Sequence, residues 1–138
     1  MHSRNRENRN DKILVVDDEQ GIVDLLVDDL SDDGFDVISA TNGAMALIQI
    51  YRDRPDLVVL DLMLPVVNGY EVLRELRGNP TTKNLPIIML TAISSPEVEK
   101  SVRQMRTDFY LTKPWKLDSL LTEIRCALRM GDRGLSAA

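Results

Sequence analysis

Four short apolar runs in the chain each stop on a residue able to handle a phosphoryl group. Ile13-Leu14-Val15-Val16 runs into Asp17-Asp18, and Leu57-Val58-Val59-Leu60 into Asp61. Pro86 to Leu90 runs into Thr91, and Phe109 to Thr112 into Lys113-Pro114. Were these runs neighbouring parallel strands, three carboxylates, a hydroxyl and an ammonium would meet at one edge. Carboxylates ~4 Å apart at an effective dielectric near 20 repel by about 4 kcal/mol per pair, so such a group calls for a cation. Hard oxygen donors suit Mg²⁺, or Mn²⁺ in its place; no Cys or His lies near enough in the pattern to favour zinc. An aspartate can also act as a nucleophile and form an acyl phosphate. A metal, the Lys113 ammonium and the Thr91 hydroxyl would neutralise the charge that develops on the transferred group. Asp61, on the middle run, is then the natural nucleophile, with Asp17 and Asp18 left to hold metal.

The elements that must position these residues are legible as an alternation of apolar runs and amphipathic stretches. Ile22, Leu25, Leu26 and Leu30 fall at helical spacing and predict a first helix with one buried face, stopped at Gly34. A strand at Phe35–Ser39 follows. Thr41-Asn42-Gly43 opens a second helix carrying Ala46, Leu47 and Ile50, closed before Pro55. Leu57–Leu60 shows no polar alternation, as expected of a strand buried on both faces. A third helix carries Val72, Leu73 and Leu76 and ends at Gly78-Asn79-Pro80. A fourth starts near Pro96, where proline suits a first turn. The last strand is read as Asp108–Leu111, and a final helix as Leu117 to Met130, stopped by Gly131. Five βα units predict an α/β fold, a parallel sheet with helices on both faces.

With 138 residues, 43% of them hydrophobic and 28% charged, the chain suits one globular domain with a sizeable core. The apolar runs are too short to span a membrane. A lone cysteine, Cys126, forms no internal disulfide and is compatible with the cytoplasm. The net charge of −5 argues against direct DNA binding, which calls for a basic face. The boundaries read as a disordered polar lead-in over residues 1–11, one module over 12–130 and a flexible tail over 131–138. The chain is then either a single module or a piece of something longer.

Over about residues 12–130 the chain resembles the receiver domains of bacterial response regulators. The resemblance rests on Val15-Val16-Asp17-Asp18-Glu19, on Leu60-Asp61-Leu62-Met63-Leu64-Pro65 through Gly69, on Leu90-Thr91-Ala92, and on Tyr110-Leu111-Thr112-Lys113-Pro114, in that order and spacing. It implies a flavodoxin-like sheet of strand order 2-1-3-4-5. Asp61 would be the phosphoacceptor, served by a sensor histidine kinase or a histidine phosphotransfer protein. Mg²⁺ would be bound by Asp17, Asp18, Asp61 and the Met63 main-chain carbonyl. Lys113 would pair with the phosphoryl group and carry a cis bond to Pro114. Thr91 and Tyr110 would act as the switch, moving inward and altering the surface of the fourth helix, fifth strand and fifth helix. Through that surface the module would reach a downstream protein target or an output domain, or form a homodimer. It would catalyse only its own phosphotransfer and dephosphorylation, and so is not read as an enzyme.

Some positions depart from the family's pattern. Arg106-Thr107 stand where a Gly-Ala pair is common, and Trp115 where Phe is common after Lys-Pro. Met63 and Ile93, which flank the expected acyl phosphate, are apolar and cannot orient an attacking water, so slow dephosphorylation is expected. Three rival readings are a phosphorylation-independent receiver-like scaffold, an aspartyl-phosphate hydrolase and a nucleotide-binding α/β domain, the last lacking a glycine-rich phosphate loop. The hydrolase needs an Asp-x-Asp pair after the first strand, whereas Asp61-Leu62-Met63 lacks the second acid and follows the third.

Overall fold

In the computed structural model, residues 10–93, 95–105, 107 and 109–137 are described, with 130–137 described by their backbone alone. Five strands alternate with five helices: β1 Lys12–Val16, α1 Gln20–Asp32, β2 Asp36–Ala40, α2 Gly43–Asp53, β3 Leu57–Leu60, α3 Gly69–Gly78, β4 Ile87–Thr91, α4 Pro96–Gln104, β5 Phe109–Thr112 and α5 Leu117–Ala137. All pairings are parallel and the sheet order is β2-β1-β3-β4-β5, as expected from the sequence.

The fully apolar runs occupy the sheet's centre. Residues 57–60 of β3 and 87–91 of β4 are buried throughout, because helices cover both faces. Side chains alternate between those faces. Leu14, Val16, Val58, Leu60, Ile87 and Met89 pack with Ala46 and Ile50 of α2, Val72, Leu73 and Leu76 of α3, and Val102 of α4. Ile13, Val15, Leu57, Val59, Ile88 and Leu90 face the other way, onto Leu26 and Leu30 of α1 and Leu120, Ile124 and Ala127 of α5. Each large apolar side chain buried this way contributes about 1.5–3 kcal/mol.

Local signals explain most boundaries. Gly34 adopts φ +97° and closes α1 with paired bonds, Gly34 N–H to Ser31 and Phe35 N–H to Leu30, the geometry glycine makes accessible at a helix end. Asn42 caps α2 through the Met45 amide. Asn68 and Glu71 form a reciprocal capping box on α3, and Ser95 with Pro96 opens α4.

Three expectations are corrected. The buried stripe of α1 is Val23, Leu26 and Leu30, while Leu25 is half exposed. Leu25 and Leu26 lie about 100° apart around a helix, so a stripe centred on Leu26 and Leu30 turns Leu25 outward. The last helix does not stop at Gly131 but continues to Ala137. An interior glycine costs only about 1 kcal/mol, and no proline follows to forbid continuation. The outer strands are shifted by one residue, with β2 beginning at Asp36 and β5 ending at Thr112. Arg106, Asp108 and the first nine residues lie outside the described residues.

Candidate functional site

Strand register brings the polar residues together. Val16 pairs with Leu60, so the residues that follow them, Asp17 and Asp61, emerge side by side. The Asp61 amide donates to the Val16 carbonyl and the Asp17 amide to the Ala40 carbonyl. On the other side Met89 pairs with Tyr110 and Thr91 with Thr112. The Lys113 amide then donates to the Thr91 carbonyl at 2.8 Å, and a cis peptide to Pro114 follows.

Lys113 crosses the strand ends. Its Nζ lies 2.6 Å from Asp17 Oδ2 and 2.9 Å from Asp61 Oδ2, and 3.9 Å from Glu19 Oε1. The three central side chains are nearly dry, with exposures of 12% for Lys113, 2% for Asp17 and 4% for Asp61. Burial pushes the Asp17 carboxyl above its usual range, even though Lys113 and the Glu19 amide pull it down. Burial also works to lower Lys113, but its hydrogen bonds to Asp17 and Asp61 outweigh that and raise it. Both partners therefore hold their protons more tightly, Asp17 because it is buried and Lys113 because it is paired with two carboxylates.

Main-chain donors fix the carboxylates. Asp17 Oδ1 accepts from the Glu19 amide and Asp61 Oδ1 from the Met63 amide. The tight carboxylate group among the described residues is Asp17, Asp18 and Glu19, whose oxygens lie within 4.8 Å of one another. Asp61 joins them through Lys113. Glu19 was visible only as the third acid of its run. Asp18 is exposed and does not cap α1, whose N-cap is Glu19 without a side-chain bond. A donor set made of carboxylate oxygens alone fits Mg²⁺ or Mn²⁺ better than zinc, which favours nitrogen and sulfur donors.

Glycine makes the loop after Asp61 possible. A Cβ on Gly69 would fall 2.0 Å from the Asp61 carbonyl oxygen, and one on Gly43 would fall 1.8 Å from the Val67 carbonyl oxygen. Between them Val66 holds φ +69° with 81% exposure, a backbone state that β-branched residues rarely adopt. Nothing in Pro65-Val66-Val67 signals this.

Thr91 is fully buried, and its Oγ1 accepts a long bond, 3.4 Å, from the Ile93 amide. Tyr110 is 8% exposed and its hydroxyl donates to the Ile93 carbonyl at 2.6 Å, so it already points inward. Burial, with Glu99 nearby, pushes its pKa up. Trp115 packs against the α1–α5 core, and Thr107 is buried with its hydroxyl on the Val102 carbonyl.

Residues 13–125 match the family described as the response regulator receiver domain. The chain belongs to this family. The receiver is 44% identical over 126 residues to "Probable transcriptional regulator ycf27" of Porphyridium aerugineum, covering 91% of this chain and 51% of that protein. It is 37% identical over 127 residues to "DNA-binding dual master transcriptional regulator RpaA" of Synechocystis sp., covering 92% and 53%. Among solved structures, the Vibrio cholerae chemotaxis protein CheY4 aligns with a TM-score of 0.81 and 30% identity over 86% of this chain and 99% of that one. The receiver thus spans about half the length of these curated relatives and nearly all of the solved structure. Those relatives carry the names of regulators rather than of metabolic enzymes. Among the described residues no helix is long and apolar enough to cross a membrane.

Proposed function

We propose that this receiver is a cytoplasmic signalling switch that accepts a phosphoryl group onto Asp61 from a phosphohistidine on a sensor histidine kinase or a phosphotransfer protein. The observation that carries the reading is the Lys113 ammonium held between the buried carboxylates of Asp17 and Asp61. An Asp61 carboxylate oxygen attacks phosphorus as the bond to the histidine nitrogen breaks, and the imidazole departs with that electron pair. Lys113 moves its charge onto the phosphoryl oxygens, where charge develops. Asp17, Asp18 and Asp61, with the Met63 main-chain carbonyl, would hold Mg²⁺ or Mn²⁺. Bound there, the ion supplies further neutralisation of the phosphoryl oxygens.

The switch residues in this reading are Thr91 and Tyr110. Among the described residues the Thr91 hydroxyl has only a long bond to give up, and Tyr110 ties β5 to the segment before α4. Movement at Thr91 therefore reaches the α4-β5-α5 surface. That surface addresses a downstream protein target, an output half such as the names of the relatives suggest, or a second copy of the receiver. The module itself needs no contact with DNA, and it turns over no substrate beyond its own phosphoryl group. Met63 stands where an aspartyl-phosphate hydrolase would need its second acid, and the complete acceptor set argues against a phosphorylation-independent scaffold.

The test is incubation with acetyl phosphate and Mg²⁺, followed by intact-mass measurement on the wild type and Asp61→Asn. One added phosphoryl group on the wild type alone, abolished by chelation, is expected. Equal modification of both proteins, or of neither, overturns the reading.

A further inference from the structure

The helix α4 is weakly embedded. Val102 is its one buried residue, whereas α3 buries Gly69, Val72, Leu73 and Leu76. An element with so little apolar burial opens at low free energy, so its position depends on polar contacts. Two of these reach it from α3. Tyr70 Oη lies 3.0 Å from Ser101 Oγ in the middle of α4. Arg77 Nε donates at 2.9 Å to the carbonyl of Met105, the C-cap of α4.

Tyr70 and Arg77 stand about two turns apart and share one stripe of α3. Arg74, between them, lies with its guanidinium 5.4 Å from the centre of the Tyr70 ring. Arg77 is itself anchored on the Thr82 and Lys83 carbonyls, so its reach to Met105 starts from a fixed base. The first turn of α3 is seated on the phosphoacceptor, since Gly69 touches the Asp61 carbonyl oxygen with no room for a side chain. The Gly69 amide also donates to the Leu62 carbonyl. Backbone adjustment at Asp61 therefore passes to Gly69 and its neighbour Tyr70 without slack.

We propose that Tyr70 and Arg77 form a polar strap that holds α4 in its resting position and is released when Asp61 is phosphorylated. This rests on the phosphorylation reading above and adds a second connection from Asp61 to α4. It runs through α3, apart from the Thr91–Tyr110 connection through β4 and β5. Hydrogen bonds suit such a strap because water replaces them on opening, so their net worth is modest and the two positions of α4 stay close in free energy.

Amide hydrogen exchange on the full chain tests the strap. Tyr70→Phe keeps the ring and removes the hydroxyl. In the resting protein it speeds exchange across Val98–Met105 by about fivefold, the effect of one such bond, with α1, α2 and the sheet unchanged. Arg77→Gln acts in the same direction, and Tyr70→Phe adds nothing further in a Ser101→Ala background. With beryllofluoride and Mg²⁺ bound, α4 exchange in the wild type and Tyr70→Phe converges, because the strap is open in both. Unchanged α4 exchange, equal acceleration in every helix, or a difference that persists with beryllofluoride overturns the proposal. If beryllofluoride instead acts alike on the wild type and Asp61→Asn, the phosphorylation reading fails, and the resting-state comparison still decides whether the strap exists.

Discussion

Lys113 Nζ sits 2.6 Å from Asp17 Oδ2, closer than to the proposed acceptor Asp61. In the receiver the ammonium is therefore the counterion of a buried acid as well as, in the function proposed above, a reagent held for the phosphoryl group. Its raised pKa means that this stabilisation is complete below the ordinary lysine value of 10.5 and is lost only as pH climbs through the higher folded value. Lys113→Met leaves two buried carboxylates without a cation. Breaking such a pair costs about 3–5 kcal/mol. Mg²⁺ at roughly 100-fold over its dissociation constant returns about 2.7 kcal/mol to any form that binds it, and the variant, with no competing ammonium, gains more than the wild type. Urea denaturation in EDTA and in Mg²⁺ checks this. A loss under 1 kcal/mol, or the same Mg²⁺ increment in both proteins, contradicts it.

Val66 is held at φ +69° with its side chain in water, so it incurs strain without gaining burial. Val66→Gly removes the clash of a branched side chain in the left-handed region, at about 1–2 kcal/mol, against about 0.4–1 kcal/mol of added unfolded-state entropy. The variant is expected to be more stable by up to about 1.6 kcal/mol, the difference between these two terms. Val66→Asn, which tolerates this conformation with less entropy, should gain at least as much. Lower stability in both variants would show that the valine side chain itself supports the loop.

Glu123 on α5 has a buried Oε2 without a hydrogen-bond partner among the described residues. Burial pushes its pKa above the ordinary 4.5, with Arg103 pulling weakly the other way. The sign follows from linkage: ionisation is harder in the folded state, so stability is lost as pH rises through the folded value and the penalty is absent below 4.5. Glu123→Gln cannot ionise. It should be more stable than the wild type at neutral pH by less than about 1 kcal/mol, because solvent screens a partly exposed carboxylate, with the gap closing in acid. Thermal melts across this range decide it, and a gap that widens in acid would falsify the assignment.

The parallel sheet and the gathering of Asp17, Asp61, Thr91 and Lys113 at one edge were legible from position, while the strand order came with the family resemblance. Apolar runs buried on both faces must be central strands, and residues just past their ends must meet. What was not legible depended on contacts distant in sequence. Leu25 and Val23 are equally apolar, and only the packing of α1 against the sheet chose Val23. The inward Tyr110 hydroxyl required a carbonyl seventeen residues away, at Ile93. Glu19 joins the acidic group because the turn after β1 folds its carboxylate back. Arg77 reads from sequence as a solvated helix residue, yet it spans from α3 to the end of α4. The αL turn at Val66 had no glycine to announce it.

On the function proposed above, the lifetime of the phosphorylated state follows from what lines Asp61. Water attack on an acyl phosphate needs a group that positions the water and takes its proton. Met63, two residues past Asp61, gives its amide to Asp61 Oδ1 while its apolar side chain is 61% exposed. Ile93, two residues past Thr91, is partly buried against the core and its carbonyl is engaged by Tyr110. Neither side chain offers a donor or a base, and the Met63 thioether is only a weak acceptor. Purified phosphoprotein in Mg²⁺ should therefore decay over minutes to hours. Met63→Gln, which places an amide at an exposed position without disturbing the core, should shorten that lifetime several-fold, as followed by loss of the added mass. Decay of the wild type within seconds would show that another group orients the water, and the apolar flanks would lose their explanatory role.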